Sequence, residues 1–342
     1  MEGAPPALTC GIRVSVLRTQ LAICKGLQNW CMADMGSVLR AARTAAGVSL
    51  AGMAERTNYS KPYLGQLETG KREVLPHHIA AYEHALGVDI ERLAYVAATP
   101  RRADSSSLAS LATILSSTRR LEDAVGARGV LDTVRGFDRL SRSLAHHARS
   151  PLAGSAACLA SEISQYRGWL ELASGDRAAG ERCLNSAITL ARNADAPDRL
   201  VHGLSFKAYA ALEARRVGDA AALTEEALRV RGVHPLIRVY DRYQLARVHA
   251  ATGETHAAQR ALVVADKAAE AAAGEEPPDA GYWYTEGLWG LHRGRVLWLL
   301  GQHQGARREV RSGLAAMPQE HRDATWAAKW VKAARGDGEV PH

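Results

Sequence analysis

Phenylalanine is almost absent from this chain, and aromatic residues as a class are scarce. Only two of the 342 residues are Phe and 6% are aromatic, whereas Ala recurs throughout and runs of Val and Ile are short. Aromatic and β-branched residues favour strands, so their scarcity argues against a sheet. We therefore predict an all-α protein that is long enough for about two or three folding units.

Cysteine pairs and long apolar runs are also lacking. The five cysteines form no CxxC pair and no Cys/His set with zinc spacing, which indicates free thiols in a reducing compartment and no structural metal. The apolar stretch from Leu8 to Leu27 is interrupted by basic residues too often for a signal peptide or a membrane span. We expect a cytoplasmic protein that does not contact a membrane.

Neither concentrated charge nor a catalytic motif is present. The net charge is +7, but residues 1–34, 35–95 and 96–342 contribute +1, +1 and +5, so bulk charge does not locate a nucleic-acid site.

Adjacent histidines, as at 77–78 and 146–147, point too far apart on a helix to chelate one ion well. No Ser or Cys lies in a catalytic motif, and no phosphate-binding loop occurs. We predict that the protein is not an enzyme and uses no cofactor.

The N-terminal third of the chain divides into an extension, a patterned block and a linker. Residues 1–34 show no clean periodicity and are predicted to be a disordered extension or a wrongly assigned start, the alternative being a short arm that touches DNA or a partner. Serine N-caps and glycine stops in residues 35–97 predict five short helices, at about 36–45, 50–56, 61–69, 76–86 and 88–93. Residues 98–107, rich in Arg, Ser and Thr, are predicted to link this domain to a helical-repeat domain at 108–336.

The segment 60–71, SKPYLGQLETGK, closely resembles the recognition helix and following turn of the Cro/CI repressors, the XRE-like family. The most specific part of the resemblance is the string QLETGK at 66–71. It implies a repressor-like helix-turn-helix domain over about 35–95. The resemblance also implies that Arg43, in the first helix, forms a partly buried ion pair with Glu68, which would be structural.

The recognition helix implied by this resemblance has an inward and an outward face. Leu64 and Leu67 are three residues apart and face inward. Gln66 can then pair bidentately with adenine, and Lys61 can donate to guanine or to a phosphate. Gly65 departs from the family pattern and costs about 1 kcal/mol of helix propensity relative to Ala, unless it allows a close approach to DNA or to another helix. The residues left for the major groove are Lys61, Pro62, Tyr63 and Gln66.

Tyr63 is bulky where the family often has a small polar residue, so it either stacks against a thymine methyl group or packs between helices. Further residues fall at helix starts or in the turn, where hydroxyls, ammonium groups and helix N-termini usually meet phosphates. We expect them to position the domain on double-stranded DNA without selecting the sequence; for the two serines, the alternative is capping alone. These residues are Ser49, Ser60, Thr69, Lys71 and Arg72.

From about residue 155 the chain is self-similar. Each repeat contains a glycine that is followed by a polar residue. Small residues recur seven positions before this glycine and five and twelve positions after it. Only the second repeat departs from this pattern, with Leu223 and Val230 at the two later positions. The pattern resembles the tetratricopeptide repeat, although the glycines are irregularly spaced, at 43, 35 and 48 residues. We therefore predict an α-solenoid of degenerate tetratricopeptide-like helical hairpins. The predicted turn glycines are Gly175, Gly218, Gly253 and Gly301.

Counting back from these glycines gives the positions that line the inner groove of a tetratricopeptide fold. The mixture of aromatic side chains and arginines found there suits a peptide with a carboxylate. The alternative is ordinary solvated helix faces with some core Trp and Tyr. The predicted ligand-binding residues are Gln165, Trp169, Arg215, Tyr243, Arg247, Arg295 and Trp298.

Together these features predict a bacterial transcriptional regulator, cytoplasmic and nucleoid-associated, that binds an inverted-repeat operator as a homodimer. The repeat domain would supply the dimer contacts and sense a peptide or small-molecule effector. One alternative is a protein-interaction scaffold that sequesters a partner, with DNA binding secondary. Another is an antitoxin, since many antitoxins use the same helix-turn-helix.

Overall fold

The structure of the chain, a computed structural model, describes residues 36, 39, 40, 43, 48–86 and 99–341. Within these residues all regular structure is helical and no strand occurs, which confirms the predicted all-α class. The predictions for residues 1–34 and for the helix at 88–93 lie outside the described residues. Of the first predicted helix, Gly36, Leu39, Arg40 and Arg43 are described, and each is helical. None of the described helices is both long and apolar enough to cross a membrane.

The chain folds into two compact units. The first comprises residues up to 121 together with 129–156, and the second comprises 122–128 and 157–342. The predicted helical-repeat domain at 108–336 therefore has residues in both units.

The first unit begins with short helices around a small apolar core. Ser49 and Ser60 cap the first two of them, as the sequence predicted. Pro62 lies in the first turn of the second, where no backbone N–H is needed for an intrahelical bond. These helices are α1 (Leu50–Arg56), α2 (Lys61–Glu68) and α3 (Pro76–Leu86). The fully buried side chains here are Leu39, Met53, Leu64, Leu67 and Tyr82.

Three long helices follow, and each has residues in both units. The predicted linker contains one 3₁₀ turn, Pro100–Arg102, and its last three residues are already helical. The helix starts there because the Asp104 carboxylate accepts both the backbone N–H and the hydroxyl of Ser107, at 2.8 and 2.7 Å. The long helices are α4 (Ser105–Val125), α5 (Ala127–His147) and α6 (Ala153–Ser174).

The second unit is a series of helical hairpins. In each hairpin the two helices are joined by a turn of a few residues. Two short helices, α14 (Gln319–Arg322) and α15 (Ala328–Arg335), follow the last hairpin. The hairpins are formed by α6 with α7 (Arg177–Asn193), α8 (Pro197–Glu213) with α9 (Val217–Arg229), α10 (Pro235–Ala251) with α11 (Thr255–Ala271), and α12 (Glu286–Leu299) with α13 (His303–Ala316).

The turn of the second hairpin is not where the sequence predicted it. Gly175, Gly253 and Gly301 have the left-handed backbone expected of turn residues, with φ of 99°, 78° and 76°. In the second hairpin that conformation belongs to Arg215, with φ of 58°, whereas Gly218 lies inside α9. The prediction for Gly218 is wrong because Gly218-Asp219 imitates the glycine-polar pair of the other turns, and a non-glycine residue takes the left-handed position here despite its steric cost.

When the second turn is assigned to Arg215, the second hairpin follows the same small-residue pattern as the other three. The positions seven before, five after and twelve after Arg215 are Ala208, Ala220 and Ala227, and each has 0% exposure. All four hairpins therefore have small residues at the three predicted places. The spacings between turn residues become 40, 38 and 48.

The small residues are needed because the two helices of a hairpin nearly touch. A Cβ added at Gly294 would lie 2.7 Å from Val310 Cγ2 and 2.9 Å from the Ala306 carbonyl oxygen. A Cβ added at Gly313 would lie 2.6 Å from the carbonyl oxygen of Gly287, which is backbone and cannot rotate away. The contact between α12 and α13 thus depends on residues without a side chain.

We expect Gly313→Ala to destabilise the second unit by about 1 to 3 kcal/mol, since α12 and α13 must move apart to admit the methyl group. Hydrogen exchange of their backbone amides in the full chain measures this loss. The matched control is Gly305→Ala in the same helix, where the nearest atom would be Leu297 Cδ1 at 3.7 Å. It should gain up to about 1 kcal/mol from helix propensity. Equal effects of the two substitutions would contradict a close helix contact.

Candidate nucleic-acid interface

Helix α2 presents a polar face to solvent and an apolar face to the core. Leu64 and Leu67 are completely buried, whereas Lys61, Pro62 and Gln66 are exposed. These are the two faces that the sequence predicted. Lys61 and Gln66 form no side-chain hydrogen bond or ion pair with any described residue, so their polar groups are free for a partner.

The buried side of α2 is held by an ion pair and a third hydrogen bond. Arg43 Nε and Nη2 donate to the two carboxylate oxygens of Glu68 at 2.6 and 2.7 Å, and the Tyr82 hydroxyl donates to Glu68 Oε1 at 2.8 Å. Arg43 Nη1 also donates to the carbonyl oxygen of Val48 at 2.8 Å. The predicted ion pair is confirmed, and it fixes α2 to the segment before α1 and to α3.

The protonation states of Arg43 and Tyr82 favour lasting hydrogen bonds with Glu68. The hydrogen bond with Glu68 raises the pKa of Arg43, and burial raises the pKa of Tyr82. Both side chains therefore keep their protons at neutral pH and continue to donate. The Glu68 side chain is only 3% exposed, so water cannot replace a lost partner.

Tyr63 packs between helices, the second of the two roles that the sequence left open. Its ring stacks on Tyr59 with centroids 5.2 Å apart, and its hydroxyl lies 2.8 Å from Nε2 of His78 on α3. The guanidinium carbon of Arg72 lies 4.5 Å above the Tyr63 ring, an arrangement typical of a cation–π contact. Tyr63 thus orders the turn after α2 as well as the helix itself.

The contacts of His78 determine which of its nitrogens carries the proton. The backbone N–H of Leu75 donates to Nδ1 at 2.9 Å, so Nδ1 must be unprotonated and Nε2 carries the hydrogen that is donated to Tyr63. Burial, followed by the charges of His77 and Arg72, lowers the pKa of His78 below its usual 6.5. The neutral ring is therefore the folded form.

We expect the stability of the first unit to fall as the pH falls below about 6.5, because the unfolded state then takes up a proton that folded His78 resists. Hydrogen exchange of α2 and α3, at several pH values with correction for the intrinsic rate, measures the change. His78→Gln should flatten this dependence, whereas His77→Gln, which alters an exposed neighbour, should leave most of it. An unchanged pH dependence in His78→Gln would assign the effect to other groups.

The predicted phosphate-contacting residues are exposed at the ends of these helices. The hydroxyls of Ser49 and Ser60 accept a backbone N–H of the helix they cap, at 2.9 and 3.4 Å, and Thr69 donates to a backbone carbonyl at 2.7 Å. Each serine still has its own hydroxyl hydrogen to donate, so capping and phosphate binding are compatible. Lys71 has no intramolecular partner among the described residues, and Arg72 only the Tyr63 ring.

Gly65 approaches another helix. A Cβ at this position would lie 3.4 Å from Cδ2 of Leu50, on α1. This is an ordinary van der Waals distance to the end of a side chain, so the contact with α1 does not require a glycine here.

The residues predicted for a ligand groove lie in the second unit, and the structure brings some of them into one row. The row consists of the residues six positions before each turn residue, which are Trp169, Tyr209, Arg247 and Arg295. Trp169 and Tyr209 have ring centroids 6.1 Å apart, and the Arg247 guanidinium carbon lies 5.4 Å from the Tyr209 centroid. Equivalent positions on successive hairpins therefore meet.

Tyr209 was missed by the sequence analysis because the turn had been assigned to Gly218. The small-residue pattern of Ala208, Ala220 and Ala227 was the signal that could have corrected it.

The other predicted groove residues lie elsewhere. Arg215 is exposed in the turn, so the prediction that it points inward is wrong. Trp298 contacts His303 and Arg307 on its partner helix α13, at 4.2 and 5.5 Å. Tyr243 is fully buried, donates to Asp266 Oδ1 at 2.7 Å and stacks on a core tryptophan. Gln165 is buried without a hydrogen-bond partner among the described residues.

Comparison with known proteins identifies one domain of the chain. Residues 34–96 match a family model described as a helix-turn-helix domain. No curated protein and no solved structure matches the chain. The family model ends before the helical hairpins, so their likeness to tetratricopeptide repeats stays a prediction.

Proposed function

We propose that the protein is a sequence-specific DNA-binding transcriptional regulator that reads its operator with α2. The helix-turn-helix domain at 34–96 suggests a DNA-binding regulator. The observation that carries the proposal is the exposed Gln66 on a helix whose opposite face is locked by Arg43 and Glu68. A side chain that reads a base edge must be exposed on a rigid support, and α2 supplies both.

The proposed DNA contacts are of two kinds. Some read the base sequence, and others position the domain on the duplex. Gln66 pairs with an adenine, and Lys61 donates to a guanine or to a phosphate. Pro62 completes the surface that enters the major groove, and Tyr63 supports this surface through its contacts with Tyr59 and His78. The positioning residues contact phosphates and fix the register of the domain on the duplex. They are Ser49, Ser60, Thr69, Lys71 and Arg72.

We further propose that the regulator binds DNA as a homodimer and that the helical hairpins supply dimer contacts and sense a peptide or small-molecule effector. One helix-turn-helix contacts only a half-site, and dimers of such domains bind two half-sites about one helical turn apart. The aromatic and arginine side chains of the row support effector sensing, since such side chains recognise apolar groups and anions.

Selection from a random duplex library by the purified full chain tests this proposal. The expected product is an inverted repeat whose half-sites lie about 10 base pairs apart, or a multiple of that spacing. Sedimentation of the protein with the selected duplex should show two chains per duplex. No enriched sequence, together with a stoichiometric protein complex that DNA leaves unaffected, would favour the scaffold or antitoxin instead.

A further inference from the structure

Two arginines of the row are buried in the second unit. Arg247 on α10 and Arg295 on α12 are only 5% and 7% exposed. They stand at equivalent places, six residues before Gly253 and Gly301. Burial, followed by the charge of Arg247, lowers the pKa of Arg295 to about 10, so the charge of Arg247 acts on Arg295.

The hydrogen bonds of these arginines leave most of their donors unused. Arg247 Nη2 donates to Glu213 Oε1 at 2.6 Å, and Arg295 Nε donates to the carbonyl oxygen of Pro341 at 2.8 Å. No carboxylate of a described residue pairs with Arg295. Each guanidinium has five N–H donors, and an uncompensated buried charge is strongly destabilising. Among the described residues, the two guanidinium groups therefore share one carboxylate partner, that of Glu213.

Other polar groups of this part of the second unit have no hydrogen-bond partner among the described residues. The hydroxyls of Tyr209 and Tyr240 form no hydrogen bond with any described residue, although Tyr240 is only 7% exposed. His292 contacts the Tyr240 ring edge-on with centroids 5.1 Å apart. Burial, followed by the charges of Arg295 and Arg247, holds the pKa of His292 well below its usual value, so this ring is neutral.

The last part of the chain covers Arg295. The Arg295 guanidinium carbon lies 4.8 Å above the ring of Trp330 on α15. After α15 the chain turns at Gly336, whose φ is 93°, and Val340 has 0% exposure. The segment 336–341 thus contacts Arg295 through the carbonyl oxygen of Pro341, which carries partial negative charge.

We propose that Arg247 and Arg295, with the hydroxyls of Tyr209 and Tyr240, form a binding site for the oxyanion of a small organic ligand, either a carboxylate or a phosphate group. Arginine donors match both groups in geometry and charge. The anion supplies the missing counter-charge, and the tyrosine hydroxyls donate to its remaining oxygens. The proposal names the effector class of the sensing role proposed above and rests on that role, but binding itself does not require DNA.

The test is a titration of the full chain without DNA, using sodium phosphate and sodium benzoate as separate probes at constant ionic strength. Intrinsic tryptophan fluorescence reports binding because Trp330 covers Arg295. We expect saturation by at least one probe and a rise in the thermal midpoint of the second unit. The tighter of the two probes identifies the anion. If neither probe has a larger effect than sodium chloride, the proposal is wrong. The DNA-binding function can then still be tested by a separate measurement.

Arg295→Met separates a binding role from a structural one, because Met keeps the apolar stem and removes the charge. We expect it to weaken the binding of the probe at least about tenfold, the loss typical of one charge-assisted contact. Without a probe it should unfold no more easily than the wild type, since the repulsion with Arg247 is gone. The control Arg308→Met removes an exposed arginine of α13 and should change binding less than about twofold.

Tyr240→Phe is the second variant and removes a single hydroxyl. It should weaken binding by about threefold or more, which is the loss expected for one neutral hydrogen bond. Binding that is unchanged in both Arg295→Met and Tyr240→Phe rules out this site.

Discussion

Replacement of Glu68 by Ala should destabilise the first unit by about 3 to 5 kcal/mol, because it leaves the buried Arg43 guanidinium without its counter-ion. Arg43 is held by both carboxylate oxygens of Glu68, and its side chain is 12% exposed. The same substitution removes the acceptor of the buried Tyr82 hydroxyl. Hydrogen exchange of α1, α2 and α3 in the full chain measures the loss locally, without interference from the second unit.

Two further variants make this result specific. Glu68→Gln keeps the shape and one acceptor, so its loss should be smaller than that of Glu68→Ala. Glu55→Ala removes an exposed carboxylate of α1 that has no partner and should change stability by less than about 0.5 kcal/mol. A loss below about 0.5 kcal/mol for Glu68→Ala would mean that the ion pair contributes no more than a surface pair does.

Gln66→Ala should weaken binding to the selected operator by about 1 to 3 kcal/mol and barely change binding to random DNA, because it removes a contact to a base edge. Gln66 is exposed and has no intramolecular partner, so the substitution leaves the fold intact. Fluorescence anisotropy with a labelled operator and a shuffled duplex, at one salt concentration, measures both affinities.

Lys71→Ala is the contrasting variant, and Gln304→Ala is the matched control. Lys71 is expected to contact a phosphate, so its loss should weaken binding to both duplexes and reduce the salt slope by about one. Gln304, an exposed glutamine of α13, should have no effect on either duplex. Equal losses on operator and shuffled DNA for Gln66→Ala would show that this residue does not read sequence.

The sequence predicted the short helices α1, α2 and α3 of the first unit in detail because their signals are local. Ser60 and Pro62 define the start of α2, and the spacing of Leu64 and Leu67 determines its buried face. The Arg43–Glu68 pair joins residues 25 positions apart and was predicted through the family resemblance. The hydrogen bond between Tyr63 and His78 was not predicted, since it depends on how α3 packs against α2.

The second unit was predicted at the level of its hairpins and less well in its contacts. Small residues identify hairpins from sequence, but a glycine-polar pair at Gly218 outweighed the correct turn at Arg215, which has no glycine. That shift of three residues hid Tyr209 from the predicted row. Arg295 and Pro341 are 46 residues apart in the sequence. Sequence patterns do not predict which residues meet over such a separation.

The most direct test of the central claim is the ratio of affinities of the full chain for its selected operator and for a shuffled duplex of the same length and composition. A protein that reads sequence through α2 should prefer the operator by about a thousandfold or more at physiological salt. Equal affinity for the two duplexes, with the same salt dependence, would contradict sequence-specific recognition by this helix.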